Sequence, residues 1–252
     1  MFESGARPSA KMLHGLTGVV TGASSGIGRA IALALAAEGA ALTLVGRDRV
    51  RLDAVAQEAH MAGAPSAAPL LVDLADEGCV RAAATKVAHT VDKLDLLVHS
   101  AGVYERGAVA SAPVEALDQQ YRANLRAPYL LTQLLLPRLR VDGGDIIFIN
   151  STQGIAAGPD VGAYAATQHG VKALADSLRA EVNGDRVRVL TVHLGRTATP
   201  RQERIFASES RHYDPSRLMQ PEDVAAVVLA VLRLPRRAEV TSLSMRPSEK
   251  TY

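Results

Sequence analysis

At 252 residues and 48% hydrophobic content, the chain has enough apolar material for one large core and excludes a disordered or low-complexity protein. Its 28 basic and 26 acidic side chains nearly cancel, which excludes the basic footprint of a nucleic-acid binder, and no apolar run reaches membrane-spanning length. A single cysteine, Cys79, excludes an internal disulfide and suits a reducing, cytoplasmic compartment.

Residues 1–14 lack the apolar stretch of a secretory signal, and 1–13 read as a flexible polar tail ahead of one domain over 14–252. Strand-like runs are predicted near 16–21, 41–46, 69–73, 94–100, 145–150, 187–194 and 239–245. Helical patterns fill the gaps near 27–38, 48–62, 77–91, 114–139, 163–183 and 220–232. This alternation predicts an α/β fold: a doubly wound, seven-stranded parallel sheet with helices on both faces, its ligand at the carboxyl ends of the strands.

The first strand leads into Thr21-Gly22-Ala23-Ser24-Ser25-Gly26-Ile27-Gly28 and then a helical run. Glycines there permit positive φ and close approach of backbone to a bound group, and the helix N-terminus offers free N–H groups to a pyrophosphate. Strand, glycine turn and helix together read as a dinucleotide-binding segment. The second strand ends Leu44-Val45-Gly46-Arg47-Asp48. An acidic side chain at such a strand end binds the ribose 2′-hydroxyl of NAD; here Gly46 takes that place and Arg47, able to pair with a 2′-phosphate, follows. That predicts a preference for NADP(H), with NAD(H) as the alternative, and leaves Asp48 as a helix cap. Arg47 as plain surface charge is the competing reading.

The glycine turn, spaced T-G-x-x-x-G-x-G, resembles that of the short-chain dehydrogenase/reductase family, and later stretches extend the resemblance over roughly 14–248. It implies that Asp73, in Val72-Asp73-Leu74, accepts from the adenine amino group, with Leu74 beside it. His99-Ser100-Ala101-Gly102 corresponds to the family's N-N-A-G with both asparagines replaced; Ala101 and Gly102 keep the close backbone approach, and His99 reads as structural. Asn124 matches the helix asparagine that perturbs its helix and holds a relay water. Ser151 and, thirteen residues later, Tyr164 match the serine and tyrosine of catalysis. In that chemistry tyrosine is general acid/base on the carbonyl or alcohol oxygen, and serine hydrogen-bonds the same oxygen. After the sixth strand, Gly195 and Thr199 match a loop whose threonine binds the nicotinamide carboxamide, while Leu194 replaces its proline.

The family's Tyr-x-x-x-Lys helix is broken here: residue 168 is Gln168. The lysine holds the nicotinamide ribose and lowers the tyrosine pKa; glutamine can donate to a hydroxyl but carries no charge. A cation ~4–5 Å away at an effective dielectric of ~20 is worth roughly 3–4 kcal/mol, or two to three pKa units. Without it Tyr164 is a poor base near neutrality yet still an acid, so carbonyl reduction suffers less than alcohol oxidation. Lys172 is two helical turns from Tyr164, about 12 Å of rise, too far to substitute.

Residues 196–218 read as a polar loop, implied by the resemblance to be the mobile lid over the substrate, with Gln153 and Tyr213 as pocket candidates. Arg201, Arg204 and Arg211 within it read either as solvated charges or as an anion site. No metal site is read. The resemblance implies a homodimer or homotetramer pairing through the helices that begin near 114 and 163. The functional expectation is an NADP(H)-dependent oxidoreductase acting on a small carbonyl or alcohol. The alternative, carried by Gln168, is a non-redox or inactive relative: a cofactor-binding partner subunit, or a catalyst using Ser151 and Tyr164 as hydrogen-bond donors.

Overall fold

Successive side chains on a strand point to opposite faces, so a sheet buried on both sides needs apolar residues at consecutive positions. Val19 and Val20, Leu96 and Leu97, and Ile146 and Ile147 supply such pairs, and each pair divides between two separate cores. The computed structural model describes residues 13–249. Its seven strands are β1 (Thr17–Thr21), β2 (Ala41–Gly46), β3 (Ala67–Leu71), β4 (Leu96–His99), β5 (Asp145–Ser151), β6 (Arg188–Leu194) and β7 (Ser242–Met245). All pair parallel, in the order β3-β2-β1-β4-β5-β6-β7.

One face is covered by α1 (Gly26–Ala37), α2 (Arg49–Ala62) and α8 (Pro221–Leu232), where Ile31, Leu35, Leu52, Val55, Val224 and Val228 pack on Val20, Leu44 and Val98. The other is covered by α3 (Glu77–Thr90), α5 (Ala127–Leu139) and α6 (Gly162–Val182), whose Val80, Leu135, Val171 and Leu178 meet Leu97, Ile146 and Phe148. Full burial of one such side chain is worth about 1.5–3 kcal/mol, so both layers hold the sheet edge to edge. No described helix is long and apolar enough to cross a membrane.

Local chemistry sets the boundaries. Asp48 caps α2, its carboxylate accepting from the Arg51 N–H at 3.1 Å, and Gly63 ends the helix at φ 122°. Asp76 caps α3 through the Cys79 N–H at 2.7 Å, and the Asp223 carboxylate accepts from the Gln220 N–H at 2.7 Å at the start of α8.

Several expectations shift. The third strand runs 67–71 rather than 69–73; with Pro69 inside it, it is tolerated because β3 is an edge strand, where a missing N–H costs little. The helix expected over 114–139 divides into α4 (Val114–Tyr121) and α5, joined by a π-helical turn at Arg122–Arg126. The loop expected over 196–218 contains a helix, α7 (Pro200–Ser208), with Thr199 as its cap and Pro200 at its first position. Of the expected tail, 1–12 lie outside the described residues, whereas Leu13 is buried and its N–H donates to the Glu38 carbonyl at 3.2 Å.

Candidate active site

β1 leads on to β2 at one side of it, while β4 lies at its other side, so the crossovers diverge between β1 and β4. A crevice opens at such a switch point beyond the carboxyl ends of the strands. A cavity of about 1210 Å³ lies there. Thr21, the last residue of β1, ties the crevice floor together: its hydroxyl accepts from the Ser100 and Ala101 N–H groups at 3.1 and 3.2 Å and donates to the Val98 carbonyl at 3.2 Å.

The glycine turn wraps the near end of the cavity. Gly22 has φ 69°, and a Cβ there would stand 2.9 Å from Ala101 Cα; a Cβ on Gly28 would fall 2.3 Å from the Gly22 carbonyl oxygen. Neither position admits a side chain. Ser25 precedes α1 without capping it through its side chain, so N–H groups of the first turn face the cavity. Gly22, Ser24, Ser25, Gly26, Ile27 and Gly28 all line it, as do Arg47, Asp73, Leu74, Ala101 and Gly102. This cradle could hold a pyrophosphate, and Arg47 and Asp73, which follow β2 and β3, line the cavity on the side away from β5. The Asp73 carboxylate also accepts from the Ala75 N–H at 3.0 Å, so it caps its own turn as well.

The other end is built by β5 and α6. The Asn150 side chain at the end of β5 donates to the Gln168 carbonyl at 2.9 Å and accepts from the Ser151 N–H at 2.6 Å, which locks strand to helix. Ser151 Oγ accepts from the Gln153 N–H at 3.1 Å. Tyr164, in the first turn of α6, opens onto the same cavity, with Tyr104 edge-on to it at 5.0 Å between ring centroids. Burial pushes the Tyr164 phenol above its ordinary pKa, and the Arg201 guanidinium and the Ser151 hydroxyl pull it back. Gln168 lies one turn further on, 6% exposed, its amide directed to Thr167 Oγ1 at a long 3.4 Å. Lys172 is engaged elsewhere, 2.7 Å from the Asp176 carboxylate on the exposed side of α6.

Asn124 sits inside the π-helical turn and is buried. Its amide oxygen accepts from the Val103 N–H at 2.7 Å, and its amide nitrogen donates to the Val103 carbonyl at 2.9 Å and to Thr167 Oγ1 at 3.2 Å. Thr167 in turn donates to the Tyr164 carbonyl at 2.7 Å. One polar chain thus joins the loop after β4 to the tyrosine helix.

Thr199 and Gln153 also reach the cavity. Thr199 Oγ1 accepts from the Gln202 N–H at 3.1 Å as the cap of α7, and its methyl faces Gly26. The Gln153 amide oxygen is taken by the Gly158 N–H at 2.8 Å. Tyr213 is not among the residues that line the cavity: it packs edge-on against Phe206 at 5.5 Å. The three loop arginines are not all brought together: Arg201 and Arg204 line the cavity, Arg211 does not. Arg211 pairs with Glu209 and stands over Phe206, Arg204 is exposed, and Arg201 crosses the cavity to donate to the Gly102 carbonyl. His99 is structural: it is stacked on Phe148 at 4.9 Å, hydrogen-bonded with Thr132 at 2.8 Å, and burial lowers its pKa to about 3.

Thr21, Asn150, Tyr104 and Arg201 carry parts of the site that the sequence did not single out for these roles. Thr21 opens the glycine-turn motif itself and Asn150 precedes Ser151, and a polar side chain at a strand's end is the available signal in both. Tyr104 and Arg201 meet Tyr164 only through the folding of distant segments, and no local pattern marks them.

With this geometry in view, residues 17–210 match the short chain dehydrogenase family. An uncharacterised short-chain type dehydrogenase/reductase of Sinorhizobium fredii is 32% identical, over 91% of this chain and 90% of its own length. The Bos taurus dehydrogenase/reductase SDR family member 7B is 34% identical, but the match spans 70% of this chain and 56% of that protein. Among solved structures, a metagenomic short-chain oxidoreductase in complex with NADP is 32% identical with a TM-score of 0.81, covering 94% of this chain and 99% of that one. The alcohol dehydrogenase of Thermococcus sibiricus complexed with 5-hydroxy-NADP is 27% identical with a TM-score of 0.84, at 94% and 99% coverage.

Proposed function

Because the chain belongs to the short-chain dehydrogenase family, we propose that it is an NADP(H)-dependent oxidoreductase that reduces a small ketone or aldehyde, or oxidises the matching alcohol. The observation that carries this reading is the convergence of Ser151, Tyr164 and the glycine cradle on one cavity at the switch point of the sheet. Arg47 beside Gly46, and the NADP ligands of two solved neighbours, support the phosphorylated cofactor. When bound, NADPH supplies the hydride. Tyr164 gives its Oη proton to the carbonyl oxygen, Ser151 donates a hydrogen bond to the same oxygen, and Asn124 with Thr167 fixes the helix that carries Tyr164.

Gln168 stands where the family has its lysine, so the tyrosine lacks the neighbouring ammonium that would favour its anion. Burial already favours the protonated phenol. Both facts favour reduction over oxidation near neutral pH, since reduction begins from Tyr–OH. Gln168 also supports a second reading, a relative that binds cofactor but does not turn over. The same family reading carries self-association, and the single cysteine supports a cytoplasmic site of action. Val114, Leu117 and Tyr121 form one exposed apolar stripe on α4, with Tyr129 exposed on α5 beyond it, a surface suited to a second copy.

The test is NADPH binding followed by NADPH oxidation against a ketone panel, for the chain as it stands and for Gln168→Lys. Binding and turnover by the native chain support the reductase. Binding by both with turnover by the lysine form alone supports the second reading. No cofactor binding by either form sinks both.

A further inference from the structure

The geometry points to Arg201, carried by the lid helix α7, as the cation that takes over electrostatic support of the Tyr164 phenolate which residue 168 does not provide. It is a positioning residue for the proposed proton transfer, and it rests on the reductase reading above. Three observations carry it. Arg201 is half-buried and lines the cavity, and its guanidinium reaches from α7 across to the Gly102 carbonyl, 99 residues away in sequence. Gly102 adjoins Val103, which Asn124 and Thr167 link to the first turn of α6, so the cation is anchored on the framework that holds the tyrosine. Finally, its charge is unspent. Glu209 engages Arg106, Arg196 and Arg211, whereas among the described residues Arg201 has no carboxylate partner. An arginine cannot deprotonate in working conditions, so this charge is present at every pH of interest.

The groups facing Tyr164 are few. Ser151 approaches from β5 and Arg201 from α7, Tyr104 lies edge-on from the loop after β4, and Gln168 follows on α6 itself. Glu209 and the cations Arg106 and Arg196 bear on Tyr104, one step removed. Among the described residues Arg201 is the full charge that acts on the phenol, lowering its pKa against the burial that raises it. The reaction gains no step. When Tyr164 yields its proton to the carbonyl oxygen, the guanidinium in the same cavity offsets the charge of the phenolate left behind, and solvent returns the proton. Because Arg201 is carried by α7, proton-transfer competence is coupled to the position of that helix: displacing α7 takes the charge away.

The test is the titration of Tyr164 in the cofactor-free protein, read by carbon NMR of Cζ-labelled tyrosine with Tyr164→Phe to assign the signal. Arg201→Met and Arg201→Gln should move the titration to higher pH, and Arg201→Lys should hold it near the native position. In turnover, Arg201→Met should lower ketone reduction by about tenfold and alcohol oxidation further, each pKa unit carrying at most about tenfold, with NADPH affinity changed less than about threefold. Gln168→Lys in the Arg201→Met background should restore the loss. An unmoved titration in both neutral variants, or a loss confined to NADPH affinity, overturns the proposal. If the native protein reduces no ketone, the reductase reading falls while the titration still decides what Arg201 does to Tyr164.

Discussion

At the scale of single residues, the proposed reductase reading turns on which proton form Tyr164 holds. Its phenol sits above the ordinary value because of burial, so near neutral pH it is protonated and competent as an acid. Alcohol oxidation needs the phenolate, so its rate should rise with pH through the alkaline range while reduction stays flat or falls. Gln168→Lys should raise oxidation at neutral pH by about tenfold or more and move its pH optimum downward, with a smaller effect on reduction. Initial rates in both directions against pH check this; equal effects on the two directions would deny that residue 168 acts through the tyrosine. Arg47 offers a second test. A charge-assisted hydrogen bond is worth about 1.5–3 kcal/mol, so Arg47→Ser should weaken NADPH roughly tenfold to a hundredfold and leave NADH nearly unchanged. Titration of both nucleotides reads the difference directly. A parallel loss for the two would reassign Arg47 to surface charge.

At the scale of elements, what the sequence displayed was the part written in local chemistry. The glycine turn was legible because Gly22 and Gly28 leave no room for a side chain, and Asp48 because a carboxylate at a helix start has one use. α7 was legible in principle, since Thr199-Pro200 is a cap followed by proline at the first helical position, but the charged residues beyond it read as loop. The π-helical turn around Asn124 was foreseen only through the family resemblance, as a helix perturbed at that asparagine, and no local pattern marks it. It exists because that amide satisfies both polar groups of Val103, a partner 21 residues earlier that no periodicity announces. Arg201 and Tyr213 fail for the same reason in opposite senses: whether a lid side chain points into the cavity depends on how α7 docks. The π-helical turn is itself testable. Asn124→Ala strips Val103 N–H of its acceptor and cuts the link to Thr167, which should cost about 2–3 kcal/mol. At about 2–4 °C per kcal/mol for a chain of this size, the Tm should fall by about 4–12 °C. Calorimetry measures it, and a fall below a degree would mean that the turn is held by packing alone.

At the scale of the whole molecule, a sheet buried on both faces fixes its central residues in a dry interior, and two of them are histidines that titrate. His99 ends β4 at 4% exposure, between Phe148 on β5 and Thr132 on α5, and its folded pKa is about 3 against an ordinary 6.5. The folded state therefore keeps the imidazole neutral where the unfolded chain binds a proton. Above about pH 6.5 this asymmetry is silent; below it, stability falls by up to about 1.4 kcal/mol per pH unit until the folded pKa is reached. His193, also lowered by burial, adds in the same direction. The surface carboxylates with lowered pKa values, such as Asp76, Asp142 and Asp176, weaken the fold only when pH falls through and below their usual range, near about 4. The window between about pH 6.5 and pH 5 thus belongs to the buried histidines. Urea unfolding across that window should show stability lost toward acid, and His99→Gln, which keeps a hydrogen-bonding group toward Thr132 but cannot titrate there, should show a shallower loss. The variant should be less stable than the native chain near pH 8, because the ring stacked on Phe148 is gone, and the two curves should converge as pH falls. Parallel curves would mean that His99 is charged within the fold, and the sheet would then have to supply a counter-charge that no described neighbour of the ring offers.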